Sequence, residues 1–597
     1  MRFIKFYKDS MKLGLTKPIL FISMFLYFAS VLFEAIGIFL ILPLISLIFT
    51  DQGLESYLGS QKLITEIIEY INLAGFGNDK YTIAAMLTIA IIFRQIVVFA
   101  RACWNTTILA KIVFDLRKKA FSKFLSVKEN YFVDNSSGNT INDLTEEVLQ
   151  TSNVIMGGVE LIGICCIFIV YLCMMFFLSI TFTIFALCSF FLAALFIRII
   201  WKKSSSVGTL IIKNNRLFMT HISQRFSNLR LLKLTGDEEH ERFIVKKIVS
   251  EQRKRQVKSG ILVSITNSCI EPLILILGAL ILYMAVAFLE QDLVNLGIFS
   301  IIMMRGIPMV KHAFSAWQLI ETQWPSLKAV QDTFNNLDEN KEDYNGHKKL
   351  NEKIAPNIIF KSVDYTYINR EKKVIKSASF EIQSGQMAAI IGPSGAGKST
   401  IVDCLPRLKI PNKGHIYINN IDINEINLMN LRNNIGFLAQ EPQIIEGSIK
   451  DHISFGNTNI KDKDIINSLI KVKCASLLDR LEDGIYTNIG SNGAKLSGGE
   501  RQRIDLARVL ARKTPILILD EPASNLDAIT EKAIYDAIFN EKKERPITVI
   551  VIGHRLKWFK NFDKVIIINE GIVEYSGSHD EAIKTSEWYS SAIRTQN

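Results

Sequence analysis

The sequence GPSGAGKST at residues 392–400 follows an apolar run, 388–391, and precedes a segment with the pattern of a helix. In this strand–loop–helix context, glycines let backbone N–H groups close around phosphate oxygens, and the start of the helix adds a favourable field. Lys398 is expected to reach the β- and γ-phosphates of a nucleotide, and Ser399 to hold Mg²⁺. The residues predicted to bind phosphate are Gly392, Ser394, Gly395, Gly397, Lys398, Ser399 and Thr400.

Two carboxylates, Asp520 and Glu521, end a second buried apolar run at 516–519. That position puts them at the carboxyl edge of a sheet, beside the phosphate-binding loop. Asp520 is predicted to bind the Mg²⁺ shell, and Glu521 to polarise the attacking water. An acidic pair after a strand is usually only a turn. Its spacing from the lysine loop and from the next motif favours the catalytic role.

The third motif is LSGGE at residues 496–500, which opens a helix through Leu510. Ser497, Gly498 and Gly499 offer a hydroxyl, two backbone amides and a helix N-terminus to phosphate. Alone, the motif is equally typical of an N-capped helix. The phosphate-binding interpretation is favoured because the motif lies between the lysine loop and the acidic pair.

With these three motifs, the sequence resembles the ATP-binding-cassette transporters over essentially the whole chain. It is similar to the exporter branch, in which six spans precede one nucleotide-binding domain. The resemblance implies ATP hydrolysis with ATP and Mg²⁺ as cofactors. It assigns adenine stacking to Tyr367, a link from nucleotide and Mg²⁺ to the membrane domain to Gln440, a dimer-interface loop to residues 525–527 with Asp527, and a γ-phosphate contact to His554.

The resemblance also implies a dimer, because in this family the signature loop of one subunit completes the ATP site of another. Glu521, Ser497, Gly499 and His554 are all present, so neither composite site needs a different partner and a homodimer is the simpler interpretation. A heterodimer stays open. Residues 491–492 are Ser-Asn where exporters often carry an acidic and then a basic residue, which leaves the contact of this loop with the opposite membrane domain open.

The first half of the chain is rich in long apolar runs. With 597 residues, 49% of them hydrophobic, the chain is too long for one domain and too apolar for an ordinary soluble protein. A helix of about 20 apolar residues crosses a hydrocarbon core of about 30 Å. Candidate spans are residues 18–49, 81–110, 154–178, 180–201, 261–289 and 293–314.

These segments predict a multidomain chain. An all-α transmembrane domain of six helices occupies residues 1–337, a linker 338–356, and an α/β P-loop nucleotide-binding domain 357–597. Charged helical segments at 111–147 and 202–258 are predicted to be long cytoplasmic extensions of the spans. Each holds an irregular polar stretch, 130–142 and 221–232, suited to a short helix that meets another domain.

Charge indicates the orientation of the membrane domain. Five basic residues precede the first span against the single acid Asp9, so the N-terminus and the nucleotide-binding domain are predicted to be cytoplasmic, in a bacterial inner membrane. The net charge of +11 does not indicate nucleic acid, because no basic stripe is interleaved with exposed aromatics. An amphipathic helix at 60–72 is predicted on the outer surface, where it either packs on the spans or guides substrate.

Arginines inside predicted spans are the best clue to the cargo. Arg94 and Arg305 fall about 18 to 20 Å below the outer ends of their helices, where a charge costs roughly 2.5 to 3.5 kcal/mol on insertion scales. With Arg101 they suggest a cationic cavity wall for an anionic head group such as a phosphate. The alternative is a structural ion pair in which Glu34 or Glu271 neutralises one arginine.

Part of the first span, residues 33–48, is similar to the first span of bacterial flippases for lipid-linked oligosaccharides. Together with the arginines, it favours ATP-driven export of a lipid-linked oligosaccharide, a glycolipid or another anionic amphiphile by alternating access. The alternative within the family is a multidrug or peptide exporter with a more apolar cavity. A cassette ATPase of DNA repair or translation is opposed by the predicted spans.

Overall fold

The computed structural model describes residues 2–49, 80–134, 137–178, 180–288, 293–351, 354–367, 371–524 and 526–596. The chain divides into two compact units, Met1–Lys341 and Glu342–Asn597. The predicted outer helix at 60–72 lies outside the described residues. The first unit is helical and the second contains the sheets, so the predicted order of a helical domain followed by an α/β domain is confirmed.

The first unit is built from long helices because a helix satisfies its own backbone hydrogen bonds, as an apolar environment requires. Its helices are α1 (Arg2–Lys12), α2 (Lys17–Phe49), α3 (Lys80–Leu125), α4 (Asn130–Asp134), α5 (Ser137–Asn142), α6 (Val148–Leu178), α7 (Ile180–Ser227), α8 (Leu229–Thr235), α9 (Glu238–Phe288) and α10 (Leu293–Glu339).

Each predicted span lies on one of the long helices of this unit. Among the described residues, four segments are long and apolar enough to cross a membrane: Lys17–Gly37, Tyr81–Leu125, Gly138–Phe176 and Glu238–Ile276. The predicted spans 180–201 and 293–314 lie on α7 and α10, in which the burial of some side chains is not described. The count of six spans therefore stays a prediction.

The predicted extensions are present as continuations of α3, α7 and α9 beyond their apolar segments. The first is interrupted by α4, α5 and a π-helical turn at Asp143–Glu147. In the second, the predicted irregular stretch at 221–232 starts later than predicted, because α7 continues to Ser227. The chain then breaks at Asn228, and the short helix α8 follows. His221 and Arg225 both lie against Glu241 of α9, at 2.9 and 2.8 Å, and these contacts hold the last turns of α7 against α9.

Two apolar clusters hold the helices of the first unit together. One joins α2, α6, α7, α9 and α10 around residues such as Tyr171 and Ile274. The other joins α1, α3, α6 and α10 around residues such as Ile112 and Leu327. Large apolar side chains such as Phe93 and Phe99 on α3 remain exposed, which suits a surface in contact with lipid rather than water.

The second unit places its phosphate-binding loop at the end of a mostly parallel sheet. Its described elements are β1 (Ile358–Tyr365), β2 (Ile375–Ile382), β3 (Met387–Ile391), α11 (Lys398–Cys404), β4 (Lys413–Ile418), β5 (Ile421–Asp422), α12 (Leu428–Asn433), β6 (Ile435–Leu438), α13 (Ile449–Ile453), α14 (Asp462–Lys471), α15 (Ala475–Arg480), α16 (Gly498–Ala511), β7 (Ile516–Asp520), α17 (Ala528–Glu544), β8 (Thr548–Ile552), β9 (Lys564–Asn569), β10 (Ile572–Gly577), α18 (His579–Thr585) and α19 (Glu587–Gln596).

One sheet has the strand order β10-β9-β3-β8-β7-β6, and the other has the order β2-β1-β4-β5. In the first, β9, β3, β8, β7 and β6 are parallel neighbours and only β10 is antiparallel. Alternate side chains of β3 enter different cores, Ala388 and Ile390 on one face and Ala389 and Ile391 on the other. Because the strands are parallel, the segments that follow β3, β7 and β8 meet at one edge.

The stretch 338–356 was predicted as one linker, and the structure divides it between the two units. Helix α10 continues to Glu339. From Glu342 onward the chain packs on the second unit, where Arg432 forms a bidentate ion pair with Glu342 at 2.5 and 2.9 Å. Arg407 also donates to the carbonyl oxygen of Asp343 at 2.8 Å.

Candidate functional site

The loop after β3 is shaped to surround a phosphate group. Gly392 has a φ of +153°, and a Cβ there would lie 1.9 Å from the carbonyl oxygen of Ile568, so only glycine fits. Gly395 has a φ of +77° and open space where its side chain would be. Lys398 folds back over the loop, and its Nζ donates to the carbonyl oxygens of Gly392 and Pro393 at 2.9 and 2.8 Å. Burial lowers the pKa of Lys398.

Asp520 and Ser399 lie together where β7 ends and α11 begins. The Asp520 carboxylate accepts a hydrogen bond from Ser399. Burial raises the pKa of Asp520, and this hydrogen bond offsets only part of that shift. The pair fits Mg²⁺, which prefers oxygen ligands and keeps several waters and substrate phosphates in its shell. In the described ranges, no group of three or more His, Cys, Asp and Glu residues could hold a metal by itself. Gln440 lies exposed, two residues after β6.

Glu521 and His554 are brought into contact from adjacent strands. Glu521 Oε1 lies 2.9 Å from His554 Nε2. Glu521 has a φ of +49°, a conformation that costs a non-glycine residue on the order of 1–3 kcal/mol. It is held there because its N–H donates to Ile552 at 2.9 Å and its carbonyl accepts from Gln502 Nε2 at 3.1 Å.

These contacts aim one carboxylate and one imidazole into a cavity at the edge of the sheet. Such a pair can orient a water and contact a phosphate oxygen. Both residues were named from the sequence, but Gln502, which lies two residues past the LSGGE motif and fixes the backbone of Glu521, was missed.

Tyr367 lies beside the phosphate-binding loop. Its hydroxyl is 3.1 Å from the Thr400 hydroxyl, and its ring packs edge-on against Tyr365 with 5.1 Å between ring centroids. Residues 368–370, which follow it, are outside the described ranges. Its predicted stacking on adenine remains a proposal.

The LSGGE motif begins α16 with a reciprocal capping box. Ser497 Oγ accepts from the N–H of Glu500, and the Glu500 side chain accepts from the N–H of Ser497 at 2.8 Å. Ser497 and Gly498 are exposed, so both are accessible to a ligand. At Gly499 a Cβ would lie 2.9 Å from the Leu526 side chain.

Asp527 is exposed and caps α17 through the N–H groups of Ile529 and Thr530, both at 3.0 Å. Its side chain is therefore engaged at the start of this helix. Asn525, at the start of the predicted interface loop, lies outside the described residues.

A second group of charges lies among the helices of the first unit. Glu34 on α2 is 10% exposed, and its carboxylate lies 3.3 Å from Arg94 on α3 and 4.0 Å from Arg305 on α10. Arg94 is 31% exposed and Arg305 is 56% exposed. Tyr171 lies within electrostatic range of all three. Two guanidinium groups thus share one carboxylate, and the group keeps a net positive charge.

Arg101 and Glu271, which were also considered from the sequence, contact other residues than the group of Glu34, Arg94 and Arg305. Arg101 stacks over the Tyr27 ring at 4.5 Å and donates to Ser30 at 3.5 Å. Glu271 pairs with Lys311 at 3.1 Å and with neither arginine of the Glu34 group. Of the two carboxylates considered as partners of the arginines, Glu34 is the one that lies next to them.

Comparison with known proteins identifies both units. Residues 20–307 match the family model described as the ABC transporter transmembrane region, and residues 375–524 match the model described as ABC transporter. Among curated relatives, the ATP-dependent lipid A-core flippase of Coxiella burnetii is 29% identical over 521 residues, 86% of each chain. The protein of the same name from Francisella novicida is 26% identical over 555 residues, 89% of this chain and 91% of the relative.

A solved bacterial Atm1-family ABC exporter with ATP bound superposes with a TM-score of 0.76 and covers 97% of both chains. Its sequence identity to this chain is 20%, so it supports the fold.

Proposed function

This chain is an ATP-hydrolysing ABC transporter, and we propose that it flips an anionic, lipid-linked amphiphile across the bacterial inner membrane. The observation that carries the cargo class is the group formed by Glu34, Arg94 and Arg305 inside an apolar helical unit. Charges there are costly unless they face a partner or a ligand. A lipid-linked oligosaccharide or a glycolipid offers a charged head group and an apolar tail.

In the proposed ATP cycle, Glu521 polarises the attacking water and His554 contacts the γ-phosphate. Lys398 leaves the carbonyl oxygens that it now contacts and binds the phosphates. Ser399, Asp520 and Gln440 would hold Mg²⁺, which supplies positive charge to the phosphate oxygens. Since Glu521 and His554 already contact each other, this pair is in place at the site before nucleotide binds.

We propose a homodimer in which Ser497, Gly498, Gly499 and Asp527 of one copy close the ATP site of the other. The exposure of Ser497 and Asp527 at the starts of their helices supports this role. Closure of the two ATP-binding domains would tip the spans from inward-facing to outward-facing, and hydrolysis would reset them. The N-terminus and the ATP-binding domain are proposed to be cytoplasmic.

Relatives named as lipid A-core flippases support a lipid as cargo. The competing proposal is a multidrug or peptide exporter. A drug exporter that carries hydrophobic cations would gain nothing from a group with net positive charge, because like charges repel. The half-exposed guanidinium of Arg305 favours an anionic cargo instead.

The test measures ATPase activity of the full chain in lipid nanodiscs. The probes are a polyprenyl-pyrophosphate sugar, lipid A, peptides and hydrophobic cations. We expect stimulation by one of the first two probes, and a half-stimulating concentration about tenfold higher in Arg305→Ala and Arg94→Ala, since one charged hydrogen bond contributes about 1.5–3 kcal/mol and partial exposure reduces it.

Arg198→Ala is the matched control, since Arg198 is an exposed arginine of α7 outside the Glu34 group. Its response to the anionic lipids should equal that of the parent. Stimulation by peptides or hydrophobic cations alone would transfer the proposal to a drug or peptide exporter. An unchanged lipid response in both folded arginine variants would remove the Glu34 group from the cargo site.

A further inference from the structure

Glu531 is a fully buried carboxylate whose hydrogen-bond donors come from one short segment. Its side chain is 0% exposed. Trp558 Nε1 donates to Oε1 at 2.6 Å, while Arg555 and Lys557 both reach Oε2, Lys557 at 3.5 Å. All three belong to residues 555–558, which directly follow His554. A buried carboxylate therefore holds the segment next to His554 by three contacts.

The same glutamate belongs to the first turn of α17. Its N–H donates to the carbonyl oxygen of Asp527 at 2.8 Å, and Asp527 caps the helix. Glu531 thus connects two features that the sequence treats separately, the interface residue Asp527 and the γ-phosphate residue His554. They are joined through one helical turn and one set of ion pairs.

Aromatic packing reinforces this connection. Tyr535, one turn after Glu531, stacks on Trp558 with 4.8 Å between ring centroids and an angle of 15° between planes. A Cβ added at Gly553 would lie 2.8 Å from the Phe559 ring and 3.6 Å from the Tyr535 hydroxyl. The segment 553–559 is therefore packed closely against α17 on both sides of His554, and it cannot shift without losing these contacts.

Resting on the roles proposed above for His554 and Asp527, we propose that Glu531 is a positioning residue for ATP hydrolysis. Its carboxylate is engaged by residues 555–558, and it is assigned no step of its own in hydrolysis. By holding residues 555–558 on α17, it keeps His554 in contact with Glu521 and ties that contact to the Asp527 end of the helix. Movement of Asp527 at a subunit interface would then be transmitted to the γ-phosphate contact through a rigid turn.

A purely structural ion pair is the alternative explanation, and α17 contains one for comparison. Glu541 is 4% exposed and pairs with Lys471 at 2.7 Å and Arg545 at 2.5 Å. Its partners belong to α14 and to the segment after α17, away from His554. Glu531 and Glu541 are thus two buried glutamates on one helix, each with two cationic partners, and only Glu531 is joined to His554.

The experiment compares Glu531→Gln with Glu541→Gln in the full chain in nanodiscs, with kcat, KM for ATP and thermal unfolding as readouts. We expect Glu531→Gln to lower kcat roughly 10- to 100-fold, the loss that about 1 Å of misplacement can cause, with KM nearly unchanged. Glu541→Gln should lower the unfolding temperature to a similar extent and keep kcat. Equal kcat in the two variants, at matched stability, would overturn the proposal.

Trp558→Phe is the second variant, for the case in which Glu531→Gln does not fold. It removes the N–H donor and retains a ring to stack on Tyr535. We expect a smaller loss of kcat, about threefold to tenfold, again without a change in KM. Parental kcat in a folded Trp558→Phe protein would contradict the positioning role. Both variants are measured without added lipid substrate. A negative result therefore contradicts the positioning role of Glu531 and leaves the proposed lipid cargo untouched.

Discussion

Two carboxylates, Glu521 in the ATP-binding domain and Glu34 in the membrane region, each meet a basic partner, but the chain brings them there in different ways. Glu521 follows β7 by one residue, and His554 follows the neighbouring parallel strand β8. Glu34 meets arginines from α3 and α10, which no motif connects to it. In a parallel sheet, residues that follow neighbouring strands lie close together, so their contact can be predicted from the sequence. In a helical bundle, the sequence does not indicate which helix faces will be in contact.

The largest expected effect tests the sheet-edge side of this comparison. Glu521→Gln removes the carboxylate proposed to polarise water while it preserves the size of the side chain. Loss of a general base typically costs about 10²- to 10⁴-fold in rate. We therefore expect ATPase turnover to fall by that factor with ATP binding retained, measured by phosphate release and by a fluorescent nucleotide.

The matched control is Glu570→Gln, which changes an exposed glutamate with a similar positive φ of +47° at the turn between β9 and β10. Its turnover should equal that of the parent. If Glu521→Gln retained more than about a tenth of the activity, another group would have to act as the base.

An intermediate effect distinguishes the role of the LSGGE motif from that of helix capping within the ATP-binding domain. Ser448 and Ser497 begin α13 and α16 with the same reciprocal capping box, but only Ser497 belongs to the LSGGE motif. Replacing either by alanine should cost about 1 kcal/mol of unfolding free energy. Only Ser497→Ala should also lower ATPase turnover, by roughly tenfold or more, since it removes a hydroxyl proposed to donate to phosphate.

Parental turnover in both serine variants would restrict Ser497 to capping. A loss of turnover in Ser448→Ala as large as in Ser497→Ala would show that the readout follows helix stability rather than phosphate contact. Denaturant unfolding of both variants supplies the stability scale for that decision.

The sequence predicted the fold classes of both regions because each has a strong local signal. Apolar runs longer than a bilayer is thick admit little other than helices, and the loop at 392–400 works only between a strand and a helix. The structure has both features. The extent of α7 could not be predicted, because it depends on the pairing of His221 and Arg225 with Glu241 of a different helix.

The same reasoning explains which site residues were missed. Glu531 lies in no quoted motif, and its burial becomes visible only when α17 packs on the segment after β8. Gln502 likewise acts through its contact with the backbone of Glu521. In the membrane region, the depth of Arg94 and Arg305 stays a prediction from helix length, and the choice of Glu34 over Glu271 required the packing of three helices.

The smallest expected effect tests the bundle side of the comparison. Glu34→Gln removes the carboxylate that Arg94 and Arg305 share and leaves both guanidiniums free to bind an anionic head group. If the cargo phosphate competes with Glu34, the half-stimulating concentration of the active lipid should fall by up to about tenfold, the equivalent of 1.4 kcal/mol. The measurement is lipid-stimulated ATPase activity in nanodiscs, with thermal unfolding recorded with and without lipid.

Glu271→Gln is the matched control, because it breaks a separate ion pair with Lys311 in the same bundle. A weaker lipid response in Glu34→Gln than in Glu271→Gln would mean that Glu34 orients the arginines for the cargo instead of competing with it. Lower unfolding temperature in Glu34→Gln without lipid, restored by lipid, is expected from competition, since two positive charges then lack a counter-charge until the phosphate arrives. Such restoration would make Glu34 the counter-ion of Arg94 and Arg305 until the cargo binds.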